Sequence, residues 1–92
     1  MTSPISHLEQ PQFGLLVRAM REELGLSQEQ FAQKLGTVFV TINRWENHRT
    51  KPSPMAIALL TKTLEEMGDR GSELLVKFAV EHPTNTKKGE KK

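Results

Sequence analysis

The run Gly36 to Lys51, GTVFVTINRWENHRTK, limits the fold more than any other part of the chain. Set on a helix that starts after Thr37 and turns about 100° per residue, it carries Val38, Ile42 and Trp45 on one side and Phe39, Val40, Asn43 and Arg44 on the other. The first side can close a core. The second mixes two apolar groups, an amide and a guanidinium, all directed outward. His48, Arg49 and Lys51 follow and Pro52 breaks the helix, so the element ends in a short basic turn. A helix this short draws its stability from packing its apolar side against other helices.

The neighbouring segments supply such partners. Pro11 and Gln12 open a helix whose Phe13, Leu16, Val17, Met20 and Leu24 recur at spacings of three and four, and Gly25 suits a left-handed cap at its end. Ser27 with Gln30 forms a capping-box pattern, so a second helix starts there, with Phe31, Ala32 and Leu35 as its inner face and Gly36 as its end. The next helix follows within two or three residues, the spacing of a helix-turn-helix. Ser53 as N-cap and Pro54 in the first turn open a fourth helix, with Ile57, Leu60, Leu64 and Met67 inward and Gly68 as its stop. Asp69 to Gly71 reads as a turn. Ser72 then caps a last helix with Glu73 in its first turn, Leu75, Phe78 and Ala79 inward, and Pro83 at its end. No segment alternates over a strand's length and no repeat is present, so the expected fold is all-α, a five-helix bundle.

Residues 1–11 lack periodicity and read as a flexible N-terminal arm, 12–82 as the folded domain, and 83–92 as a disordered basic tail too polar to fold. One domain is all that 92 residues with 36% hydrophobic content sustain. The formal charge is +2, but Thr84 to Lys92 carries four Lys against one Glu, which leaves the body at −1. Affinity for a polyanion must then come from a local patch or from the tail. There is no cysteine, and His7, His48 and His82 stand far apart, so neither a disulfide framework nor a metal site is expected. Without a leader or membrane span in the sequence, the expected location is cytoplasmic. No clustered His and carboxylate and no Gly-rich phosphate loop argues for an enzyme, and no cofactor is expected.

The runs LGLSQEQFAQKLG and VTINRWENHRTKPS resemble the Cro/C1-type (XRE-type) helix-turn-helix family of phage repressors, controller proteins and antitoxins. The likeness covers roughly Phe13 to Glu66 and is carried by Ser27-Gln28, Phe31-Ala32, Leu35-Gly36, Ile42, Arg44, Trp45-Glu46 and Asn47 at the expected separations. It implies a compact lambda-repressor-like bundle without enzymatic activity or cofactor, a homodimer bound to double-stranded DNA at a palindromic operator through a helix over 37–47. By the same resemblance, Phe39, Val40, Asn43 and Arg44 read base edges, Gln28, Thr41, Arg49 and Lys51 hold the sugar-phosphate backbone, and Arg21 pairs with Glu46. The chain departs from the family pattern twice. Val38 stands where a Ser or Thr cap is usual, so Thr37 caps instead or the helix frays. His48 stands where glycine is common, so Asn47 or His48 carries the left-handed turn, and asparagine tolerates it better.

Each residue also has a plainer reading. Arg44 can donate two parallel hydrogen bonds to O6 and N7 of guanine, or be a solvated surface charge. Asn43 suits adenine or a phosphate equally. Val40 suits a thymine methyl, and Phe39 either that groove or a return to the core or a dimer partner. Trp45 reads as core rather than as a stacking platform, and Arg21 and Glu46 as a pair or as two independent surface charges. Leu59 and Leu74, left over from the inward stripes, are candidates for a dimer surface. The expected function is a sequence-specific transcriptional regulator, a repressor. The rival is a protein-interaction module, or an antitoxin whose main task is to bind a toxin or another protein partner.

Overall fold

The structure, a computed structural model, describes residues 4–78. Five helices and no strand occur among them: α1 (Gln12–Glu23), α2 (Gln28–Leu35), α3 (Phe39–Glu46), α4 (Pro54–Glu66) and α5 (Asp69–Phe78). The all-α expectation holds. The basic tail, Ala79 and Pro83 lie outside the described residues.

Local chemistry accounts for most helix boundaries. At α2, Ser27 Oγ accepts from the Gln30 amide at 3.0 Å, and the Gln30 side chain accepts from the Ser27 amide at 2.9 Å, so two otherwise orphaned donors are satisfied reciprocally. Ser53 caps α4 one way, its Oγ accepting from Ala56 N at 3.1 Å, with Pro54 in the first turn. At the other end of α1, Gly25 takes φ +70°, and the amides of Gly25 and Leu26 turn back to the carbonyls of Glu22 and Arg21. That is a Schellman closure, and glycine takes its left-handed position without a Cβ penalty.

The core is built from the inward stripes. Phe13, Leu16, Val17 and Met20 of α1 meet Phe31, Ala32 and Leu35 of α2, Ile42 and Trp45 of α3, and Ala56, Leu60 and Leu64 of α4. Phe13 and Trp45 lock α1 to α3 edge to face, their ring centroids 5.6 Å apart and their planes at 76°. Each fully buried large side chain here contributes about 1.5–3 kcal/mol relative to exposure.

Two expectations need correction. Residues 4–11 are no flexible arm: Ile5 and Leu8 are buried in the same core, and the segment turns through a Leu8 N to Ile5 O hydrogen bond of 3.1 Å. Two isolated apolar residues among Ser, Pro and His give no periodic signal, yet they fit a gap that only the assembled bundle defines. Nor is Asp69 to Gly71 a turn before a Ser72 cap. Only Met67 and Gly68, the latter at φ +64°, separate α4 from α5, and Asp69 sits in the first turn of α5, where its charge complements the helix dipole. Gly71 is inside α5, pressed against the Leu64 carbonyl so closely that a side chain there would collide with it. With α5 starting earlier, Leu74 packs partly buried against the core, and Leu59 is half-buried. Among the described residues, no helix is long and apolar enough to cross a membrane.

Candidate nucleic-acid interface

Three residues, Gly36 to Val38, join α2 to α3. Gly36 closes α2 at φ +78°, and the chain runs extended through Val38 at φ −118°, ψ 158° before α3 begins at Phe39. The helix expected over 37–47 therefore covers Phe39 to Glu46. Val38, expected to face the core, is its N-cap and is 63% exposed. An extended residue lies outside the helical register, so its side chain does not share the direction of Ile42 and Trp45. No side chain caps α3, and Thr37 does not substitute for the missing Ser or Thr.

From Phe39 onward the two faces separate as periodicity requires. Ile42 and Trp45 are buried, and Trp45 belongs to the core rather than to a stacking surface. Phe39 and Val40 remain 47% and 49% exposed, Arg44 is exposed, and Thr41 and Asn43 are half-buried. Phe39 thus keeps about half its surface in solvent instead of folding back fully onto the core. No carboxylate among the described residues pairs with Arg44.

A polar chain running inward from this face holds α3 at its angle. Arg21, in the last turn of α1, donates from Nε to Glu46 Oε2 at 2.6 Å and from Nη2 to Glu46 Oε1 at 3.0 Å, while its Nη1 reaches the Leu26 carbonyl at 3.0 Å. The two side chains are only 16% and 5% exposed. The guanidinium is held above its usual range first by the Glu46 hydrogen bond, against the opposing effect of burial, and further by the charges of Glu46 and Glu22. Gln28 Nε2 donates to the same carboxylate at 3.0 Å, its Oε1 accepts from Asn43 Nδ2 at 3.2 Å, and Asn43 Oδ1 accepts from Asn47 Nδ2 at 3.1 Å. A carboxylate has only acceptors, so the Gln28 amide can point only one way, and that orientation passes to Asn43 and Asn47. Sequence reading assigned Gln28 and Asn43 outward roles alone. In the structure each also ties α2 to α3.

The loop after α3 closes as a second Schellman turn. Arg49 N returns to Arg44 O at 2.9 Å and His48 N to Trp45 O at 3.2 Å. His48, at φ +61°, occupies the left-handed position, whereas Asn47 stays at φ −95°. The expectation that Asn47 would take it fails because the helix runs one residue further before it closes and because His48 Nδ1 is held by Gln10 Oε1 at 3.2 Å. Arg49 and Lys51 are exposed on this loop, sequence neighbours of the open face of α3.

Gln10 is the residue of this region that sequence reading missed. It lies 35 and 40 positions from its carbonyl partners Trp45 and Thr50, and no local pattern signals a contact at that separation.

Residues 17–66, more than half of the chain, match the helix-turn-helix family model, a span that runs from the middle of α1 to the end of α4. No curated protein and no solved structure gives a match. With α2, a three-residue turn and an α3 that buries one face while leaving the other open, the chain belongs to the Cro/C1-type helix-turn-helix (XRE) family of DNA-binding regulators.

Proposed function

We propose that the protein is a sequence-specific repressor of transcription that lays α3 in the major groove of a palindromic operator and binds it as a homodimer. The observation that carries this reading is the open face of α3, where Phe39, Val40 and Arg44 stand in solvent although Ile42 and Trp45 of the same helix are buried. Apolar groups gain nothing from water at that position, and the major groove offers them thymine methyls. Arg44, with no carboxylate partner among the described residues, is available for O6 and N7 of guanine, a contact that discriminates between bases by about 1–3 kcal/mol.

Phosphate contacts from Gln28, Thr41, Arg49 and Lys51 set the register, and base contacts from Phe39, Val40, Asn43 and Arg44 give the selectivity. The Gln28 and Asn43 amides retain one N–H each beyond their bonds within the protein, so both can donate to DNA without breaking the chain that orients them. A single α3 spans too few base pairs for genomic selectivity. Two copies on half-sites about 34 Å apart double the readout.

Enrichment of random duplexes on the purified protein tests this reading. The expected result is a palindromic motif bound at about 10⁻⁸–10⁻¹¹ M. Arg44→Ala should keep the helical circular dichroism spectrum and lose preference at one position of each half-site; an unchanged motif removes the role given to Arg44. A second reading, docking of a protein partner as in an antitoxin, draws on the three consecutive exposed apolar side chains Val38, Phe39 and Val40. It predicts no retention on DNA or heparin at physiological salt.

A further inference from the structure

We propose that Gln10, outside the family-matched residues 17–66, is a positioning residue for DNA binding: it clasps the loop that carries Arg49 and Lys51 to the start of α1. The inference rests on the DNA reading above. Gln10 Nε2 donates to the Trp45 carbonyl at 3.1 Å and to the Thr50 carbonyl at 2.8 Å. Its Oε1 accepts from Gly14 N at 2.9 Å and faces His48 Nδ1 at 3.2 Å. These four contacts use both hydrogens and both lone pairs of the amide. Carbonyls only accept and a backbone N–H only donates, so the polarity of the amide is dictated by its partners, and His48 Nδ1 must be the donor to Oε1.

The clasp reaches both ends of the loop. Trp45 is in the last turn of α3, its carbonyl also taking the His48 amide of the Schellman turn, and Thr50 lies between Arg49 and Lys51. Thr50 cannot anchor itself, because its Oγ1 is buried without a hydrogen-bond partner. The Schellman bonds end at Arg49. Past that residue, among the described residues, the hydrogen bond that reaches the loop backbone is that of Gln10 to the Thr50 carbonyl. Its own position is secured by the burial of Ile5 and Leu8 and by Gly14, where a Cβ would collide with the Trp45 carbonyl and lie 2.6 Å from His48 Nδ1. A loop held at both ends presents its two cations at a set spacing and loses less conformational freedom when phosphates bind.

The test is Gln10→Met in the full chain, a neutral side chain of similar length with none of the four bonds. The variant should fold, exchange the hydrogen-bonded His48 and Arg49 amides of the loop faster in the free protein, and bind the enriched operator with a slope of log K against log salt shallower by about 1–2, the share of two phosphates. Its base preference should not change. Leu75→Ala, which thins the packing of α5 against the core and removes no hydrogen bond of the loop, should leave the slope as in the wild type. An unaltered slope and affinity in folded Gln10→Met, a changed base preference, or an equal slope change in Leu75→Ala would each overturn the assignment. If the wild-type chain retains no duplex, the DNA reading fails instead, and amide exchange in the free protein still decides whether Gln10 holds the loop.

Discussion

Replacing Arg21 with methionine removes the cation that holds α3 to α1, and the structure sets the size of the effect. Glu46 is 5% exposed and accepts two hydrogen bonds from Arg21. Without them its charge stays buried with Gln28 as the remaining donor, and the Leu26 carbonyl also loses a partner. Breaking a buried pair from one side costs about 3–5 kcal/mol, and the 16% exposure of Arg21 places this case near 3. Domains of this size have total stabilities of about 5–15 kcal/mol, and each kcal/mol shifts Tm by about 4–8 °C. Arg21→Met should therefore lower Tm by about 12–24 °C. Urea unfolding followed by circular dichroism measures the loss directly. The double variant Arg21→Met with Glu46→Met should regain most of it, since replacing both charges with apolar groups is close to neutral. A loss under about 1 kcal/mol in the single variant, the range of exposed pairs, would refute the claim that the pair is buried and structural. The sign with pH follows from the raised Arg21 value. Its stabilisation is complete below the ordinary arginine range and is lost only as pH rises through the higher folded value, so the cost of the variant should be flat from neutral to moderately alkaline solution.

Two further outcomes follow from the packing. Ile5→Ala should cost about 2–5 kcal/mol in the same urea assay, because a fully buried side chain leaves a cavity; a flexible arm would give no loss. Gly14→Ala should destabilise by about 1–3 kcal/mol, because the new methyl meets the Trp45 carbonyl and the His48 ring, although alanine is otherwise the better helix former. Equal or greater stability would show that α1 and α3 can separate without cost.

Much of the architecture was legible in neighbouring residues. Ser27 with Gln30, Ser53 with Pro54, and the glycines at 25, 36 and 68 marked helix ends through chemistry confined to a few positions. The spacing of Ile42 and Trp45 against Val40 and Arg44 separated the buried face of α3 from its open face for the same reason. Helical periodicity is a property of contiguous sequence. It failed where the decisive partner was remote or the register slipped. Val38 was counted into a helix that had not yet begun, and the turn expected at Asp69 to Gly71 is helical because Gly71 lets α5 approach the carbonyl of Leu64.

By itself, then, the sequence determined the helices, their order and the side of α3 that turns inward, since caps and stripes act over one or two turns of chain. Only the tertiary structure decided that Ile5 and Leu8 join the core, that His48 rather than Asn47 bends left-handed, and that Gln10 grips the loop beyond α3. Each of these depends on groups brought together by the packing of α1 against α3, and a hydrogen bond across 35 to 40 residues leaves no trace in local spacing.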